Sequence, residues 1–326
     1  MIRVAIIAIA EALPSSIMGP LDVLRACGRI AQAVSGKPHT AVFDVAIVGE
    51  TAAAFTGFSG VTLTPDTAID NGEHYDLVWL PSIALGPEGL FDTHPRLQAW
   101  LRQQYQAGAE IAAVCTGAFL LAEAGLLKRQ KVTTHWAYAG LFAQRYPDVE
   151  LLAQLSIVHN ERIHCAAAGS AWHDLVLDVI ERHCDKRTAI QTAKMFLLQT
   201  HPHGQQPVRH LAKPVHHHDA MIEAAQRWLD AHLSEDDLIA RVAADIGMNE
   251  VTFQRRFRQA LQEPVNAYIQ RLRVEKAREA LEMTADSVED ISALVGYRDS
   301  SFFRRLFKRL TGLTPAQYRR EFALQK

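Results

Sequence analysis

The feature that most constrains this chain is a device written twice near its end. The first copy runs from Leu238 to Phe257 and the second from Val288 to Phe307. Each is a short apolar-periodic segment, a glycine (Gly247 or Gly296), and a second segment whose phenylalanines fall four apart, Phe253 with Phe257 and Phe303 with Phe307. Positions i and i+4 share one helix face, so each phenylalanine pair points into a core. A glycine between two such segments suits a turn passing through positive φ. The polar residue just beyond it, Asn249 or Asp299, is suited to cap the helix that follows.

Once the phenylalanines are inward, the opposite stripes are fixed. Val251, Gln254 and Arg255 form one, and Ser301, Arg304 and Arg305 form the other. Arginine can bond guanine O6 and N7 together, and glutamine adenine N6 and N7, so these six are the candidate base readers of a DNA major groove. Arg256, Arg258, Arg298, Lys308 and Arg309 stand where phosphates would be met, with Arg319 and Arg320 further on. A solvated pair of helix hairpins is the alternative for one copy. Two copies in register, joined by one long helical segment, favour double-stranded DNA.

The pair resembles the AraC/XylS family of transcription regulators. The likeness rests on Phe257, Pro264, Tyr268, Arg271-Leu272-Arg273, Ala277 to Leu281, Gly296-Tyr297, Phe302 to Lys308, Gly312, Pro315 and Tyr318-Arg319, and covers essentially all of 219–326. It implies two readers at the ends of a linking helix, about 34 Å apart in successive major grooves. One departure is that Gln262 and Glu263 stand where the family usually has glycine.

Overall charge does not announce such a partner: the formal net charge over 326 residues is −2. The asymmetry is local, since from Arg298 to Arg320 seven basic residues face one acid, Asp299. A local patch suffices to steer and hold DNA. Four cysteines, Cys27, Cys115, Cys165 and Cys184, show no CxxC spacing and fit a reducing cytoplasm. The apolar run Val4–Ala10 imitates a signal peptide but reads better as a buried first strand. The longest uncharged apolar stretch, Ile111–Ala122, is too short to span a bilayer, so no membrane partner is expected.

Through the first two hundred residues strand and helix signals alternate, which predicts an α/β fold, a mostly parallel sheet with helices on both faces. Strands are expected at Arg3–Ala10, Phe43–Glu50, Asp76–Leu80, Ile111–Cys115, Leu155–His159 and Arg162–Ala167. Helices are expected at Gly19–Val34, Pro95–Ala107, Thr116–Ala124, Ala137–Arg145, Ala171–His183 and Thr188–Gln199. Ligands of such sheets bind beyond the carboxyl ends of the strands. At Val114-Cys115-Thr116-Gly117 a strand runs straight into a helix with cysteine at the junction, the layout of a nucleophile elbow. His135 is the candidate partner. A small hydrophobe ending a buried strand is the alternative.

Residues 1–199 resemble the PfpI-like, class I glutamine amidotransferase-like fold, which is flavodoxin-like. The likeness is carried by Gly19 to Val23, Leu77 to Pro81, Val114 to Ala118 with Leu121 to Leu127, Thr133 to Trp136, and Ala168-Gly169 leading into Asp174-Leu175. Joined to the C-terminal pair, the whole is similar to GlxA-family AraC-type regulators. The departures separate enzyme from sensor. Enzymes of the group carry an acid where Ser16 stands, Gly-Gly where Ser82-Ile83 stand, and often histidine where Thr116 stands. The expectation is a catalytically degenerate domain, with no catalytic residues, that binds a small and nitrogenous effector against Cys115, Thr116, Phe119, His135, Trp136, Trp172 and His173. Trp136 and Trp172 stack on a cation or serve as core residues.

Thr200–His218 has proline, glycine, glutamine and six histidines without a period, and reads as a polar linker between domains 1–199 and 219–326. Its histidines lack acidic or cysteine companions at ligand spacing, so neither metal nor cofactor is expected. The reading as a whole is a cytoplasmic, homodimeric, ligand-responsive transcription activator, with RNA polymerase as a further partner. The alternatives are a Cys115-dependent hydrolase or amidotransferase, and a DNA-binding protein with an inert second domain.

Overall fold

The structure is a computed structural model that describes residues 1–35, 41–84, 94–209, 211, 217 and 219–323. It divides into two units, Met1–Gln205 and Gln206–Lys326.

The first unit runs β1 (Ile2–Ala8), α1 (Ser15–Ser35), β2 (Phe43–Gly49), β3 (Phe55–Thr56), β4 (Thr62–Leu63), β5 (Thr67–Ala68), β6 (Leu77–Leu80), α2 (Pro95–Gln106), β7 (Glu110–Val114), α3 (Gly117–Glu123), β8 (Lys131–Val132), α4 (Ala139–Arg145), β9 (Glu150–Leu151), β10 (Ile157–Asn160), β11 (Ile163–Ala166), α5 (Trp172–His183) and α6 (Lys186–Phe196). The main sheet has the order β10-β11-β7-β6-β1-β2-β5. Every neighbouring pair is parallel except β10 with β11. Central parallel strands are covered on both faces, which is why β7 is a continuous apolar run, with Ile111 to Val114 all 0% exposed. The winding reverses between β1 and β6, so the loops after β1, β6 and β7 meet where this fold class opens a ligand crevice. The flavodoxin-like α/β reading of this half agrees with that sheet.

The second unit is all helical: α7 (Ala220–Ala231), α8 (Leu238–Asp245), α9 (Glu250–Leu261), α10 (Val265–Met283), α11 (Val288–Leu294), α12 (Ser300–Thr311) and α13 (Pro315–Phe322). It has two cores. Ile222, Leu229, Val242, Phe253, Phe257 and Tyr268 form one, and Ala277, Ile291, Phe303, Phe307 and Tyr318 the other. Helix α10 serves both, giving Val265, Tyr268 and Ile269 to the first and Val274, Ala277 and Leu281 to the second. Its 19 residues, at about 1.5 Å each, make a spacer of roughly 28 Å.

The stretch expected as a free linker is held at its described ends. Gln205 is 3% exposed and donates to the carbonyls of Thr134 and Ala153, while its side-chain oxygen accepts from Trp136 N–H. His201 pairs with Asp174 at 2.6 Å. Within the second unit, buried Arg278 donates to the carbonyls of Gln206 and Arg209. Leu211 joins the second helical core. The remaining linker residues, 210, 212–216 and 218, lie outside the described residues.

Candidate nucleic-acid interface and ligand site

Both turn glycines have positive φ, +70° at Gly247 and +83° at Gly296. Asn249 caps α9 by accepting from Thr252 N–H at 2.9 Å. Asp299 caps α12 by accepting from the N–H groups of Ser301 (2.8 Å) and Phe302 (3.1 Å). Phe253, Phe257, Phe303 and Phe307 are all 0% exposed. That burial fixes the opposite faces: Val251 is 78% exposed, and Gln254, Arg255, Ser301, Arg304 and Arg305 are exposed with it.

The cations differ in what already occupies them. Among the described residues Arg255, Arg258, Arg305 and Lys308 make no ion pair. Arg304 pairs with Glu289, and Arg298 with Asp236. Arg309 donates to Gln270 Oε1 at 3.2 Å. Arg256 differs most from expectation: its guanidinium lies 2.6 and 2.9 Å from the two carboxylate oxygens of Asp219. Asp219 also caps α7 through Met221 and Ile222 N–H, so the partly exposed Arg256 is already engaged in bracing α7 against α9. Arg319 is likewise engaged, with the carbonyls of Leu281 and Asp286.

In the first unit Cys115 sits at the β7–α3 junction with φ +58°. A non-glycine residue there is strained by about 1–2 kcal/mol, as elbow residues are. The surroundings then depart from an active elbow. Burial raises the Cys115 thiol above its ordinary value, and the Ser82 and Thr116 hydroxyls only partly oppose that. That is the opposite of the lowered thiol that a nucleophilic cysteine uses.

Two backbone donors beside the elbow are engaged internally. Ser82 N–H donates to Ser16 Oγ at 3.0 Å, and Ser16 Oγ–H donates to Leu13 O at 2.8 Å. Ile83 N–H donates to Thr116 Oγ1 at 2.8 Å, and Thr116 Oγ1–H donates to Ile83 O at 2.6 Å. An oxyanion hole needs such N–H groups aimed at the reacting oxygen. Here two hydroxyls take them, one of them Ser16 at the position where the resemblance puts an acid.

The other expected ligand residues divide. Phe119 is a correction: it is 1% exposed and packs edge-on to Phe142 at 4.9 Å, so its face of α3 belongs to the core. His135 uses Nδ1 to accept from Ala137 N–H at 3.1 Å, and burial lowers its pKa. Its ring lies 5.4 Å from that of Trp136. The Trp172 indole lies flush against Gly19 of α1, with atoms 2.4–3.0 Å from where a Cβ there would stand. His173 is 4.2 Å from the Trp172 ring, and its Nδ1 lies 3.2 Å from Gln199 O. Burial lowers the His173 pKa as well.

A neighbouring group was not anticipated. Beyond the carboxyl ends of β1 and β2 lies a cavity of about 210 Å³ whose lining includes Glu11, Glu50, Phe55 and His94. His94, 8% exposed, places Nδ1 2.8 Å from Glu50 and Nε2 3.3 Å from Glu11. The sequence signal was an acid just past each of the first two strands.

Comparison with known proteins follows this division. A model of the DJ-1/PfpI family matches residues 2–182. The chain belongs to the DJ-1/PfpI family. A helix-turn-helix domain model matches residues 242–321, and together the halves make an AraC-type transcription regulator. The chain is 25% identical over 292 residues to the HTH-type transcriptional regulator CdhR of Pseudomonas aeruginosa, covering 88% of this chain and 84% of that protein. It is 28% identical over 262 residues to the HTH-type transcriptional regulator Rv1931c of Mycobacterium tuberculosis, covering 77% and 97%. Among solved structures, an AraC family transcriptional regulator from Pseudomonas putida superposes with a TM-score of 0.50 at 17% identity, over 60% of this chain and 100% of that one. A DJ-1 superfamily protein from Salmonella typhimurium gives 0.50 at 19%, over 61% and 100%, and these two likenesses speak to the fold alone. Among the described residues no helix is long and apolar enough to cross a membrane.

Proposed function

We propose that this regulator is a cytoplasmic homodimeric activator whose DJ-1/PfpI domain catalyses nothing and binds a small nitrogenous metabolite. The observation that carries the reading is the pair of hydroxyls, Ser16 and Thr116, on the N–H groups of Ser82 and Ile83, two donors beside the elbow. The elbow keeps its strain while two neighbouring N–H groups are taken by hydroxyls, and the outer faces of both second helices stand exposed. Effector binding beside Cys115, Thr116, His135 and Trp136 favours one arrangement of the DNA-binding units over others. RNA polymerase is the partner through which activation would act.

The test is a salt-controlled titration on the DNA upstream of the protein's own gene, repeated with a panel of betaines and amino acids. Specific binding shifted by one metabolite supports the reading. Arg255→Ala and Arg305→Ala should each weaken specific sites by about 1–3 kcal/mol and leave random DNA less affected. Cys115→Ala should keep DNA binding. Turnover of an amide or ester substrate that disappears in Cys115→Ala would establish the enzyme instead.

A further inference from the structure

Away from the elbow, two thiols from distant parts of the chain meet. Cys27 of α1 and Cys184, the residue ending α5, have their sulfurs 3.6 Å apart. Cys27 is 0% exposed and Cys184 is half-buried. The other cysteines are isolated: Cys165 is 0% exposed and Cys115 4%. We propose that Cys184 is a peroxide-modifiable cysteine and that Cys27 is its resolving partner, so that a peroxide converts the pair to a disulfide joining α1 to the end of α5.

Three features support this beyond proximity. The first is a division of roles. The bond from Cys27 holds the Cys184 thiol below its ordinary value, while Cys27 itself is pushed well up. Cys184 is thus the sulfur favoured to attack and Cys27 the one to resolve, an asymmetry that agrees with their difference in exposure. The second is access, since an attacking thiolate must be reached and a resolving one need not be. The third is reach: a disulfide sulfur pair stands at about 2.05 Å, so the sulfurs close by roughly 1.5 Å.

The chemistry balances. The Cys184 thiolate attacks one peroxide oxygen, an S–O bond forms, the O–O bond breaks, and hydroxide leaves as water after taking a proton. The Cys27 sulfur then attacks the sulfenic sulfur, and its proton departs with the hydroxyl as a second water. Two thiols lose two electrons to one peroxide. A dithiol reductant reverses the step, as expected of a transient disulfide in a reducing compartment. The staple would act on a helix pair already in contact at its other end, where Trp172 at the start of α5 lies against Gly19 of α1. Ser16 lies one turn before Gly19 on that helix.

The test uses the full chain. It is treated with hydrogen peroxide, quenched, and alkylated with N-ethylmaleimide under denaturing conditions. The expected result is a fall from four alkylated cysteines to two, with one cross-linked peptide pair containing Cys27 and Cys184. Cys27→Ser should leave a sulfenic acid on Cys184 that dimedone captures, and Cys184→Ser should keep its three thiols. Retention of all four thiols, dimedone on Cys115 instead, or a disulfide only between two chains would overturn the proposal. If Cys27→Ser does not fold, the untreated wild-type chain decides. Iodoacetamide should then label Cys184 at least about tenfold faster than Cys115, and equal rates would overturn it.

Discussion

The two helix-turn-helix copies share a glycine turn, yet the glycines should not be equally replaceable. At Gly247 an added Cβ meets nothing within 4 Å. Gly247→Ala therefore costs only the left-handed backbone, about 1–2 kcal/mol. At Gly296 the same Cβ would stand 2.7 Å from Arg273 Nη2, 2.9 Å from its Cζ and 2.9 Å from Leu233 O. Arg273 donates to Leu233 O at 2.9 Å and Glu235 O at 3.1 Å, so the methyl, placed beside the second turn, would wedge into a bond tying α10 to the α7–α8 loop. Loss of a charge-assisted hydrogen bond adds about 1.5–3 kcal/mol. Gly296→Ala should thus cost about 2.5–5 kcal/mol, roughly 1.5–3 more than its counterpart. Native-state hydrogen exchange on the full chain separates the sites, because opening is read locally. Protection in α11 and α12 should fall by at least about tenfold more in Gly296→Ala than protection in α8 and α9 falls in Gly247→Ala. Equal losses, or a larger one at Gly247, would refute the argument from crowding.

Other outcomes follow from single residues. Thr116→Val removes both bonds to Ile83 at a site 2% exposed, and should destabilise the first unit by about 2–4 kcal/mol in urea unfolding. Thr116→Ser should restore most of that. Gln262 occupies a left-handed helix end at φ +57°, so Gln262→Gly should stabilise the second unit by about 0.5–1 kcal/mol. Glu110 is held far below the ordinary carboxylate value of 4.5, first by His164, then by His183 and Arg182. A depressed carboxylate contributes stability that is complete above that value and lost as pH falls beneath it. Glu110→Gln should flatten the acid limb of the thermal midpoint, and an unchanged limb would show the network to be inert.

Much of this was legible because periodicity reports burial. Paired phenylalanines placed the buried and the exposed faces of the two second helices, and alternation placed the sheet. Partnerships across the chain were not legible. Arg256 and Asp219 are 37 positions apart, and nothing local distinguishes Arg256 from Arg255 except the face each takes. Phe119 was misjudged because adjacency to an elbow says nothing about which side of α3 meets α4. The linker misled for a related reason: Gln205 and Arg278 hold it through backbone carbonyls, which any sequence supplies.

The hydroxyls at the elbow bear on how such a domain changes over time. A buried carboxylate at position 16 would need a charged partner or a proton, whereas Ser16 there both accepts and donates within 3.0 Å. Thr116 does the same for Ile83. An acid at position 16 would leave the Leu13 carbonyl without its donor, and loss of the Thr116 hydroxyl would leave both the N–H and the carbonyl of Ile83 unmatched. If the domain is the non-catalytic sensor proposed above, each such single step should cost stability, so a return to catalysis would run uphill at its first step while the crevice stays free to be reshaped for binding.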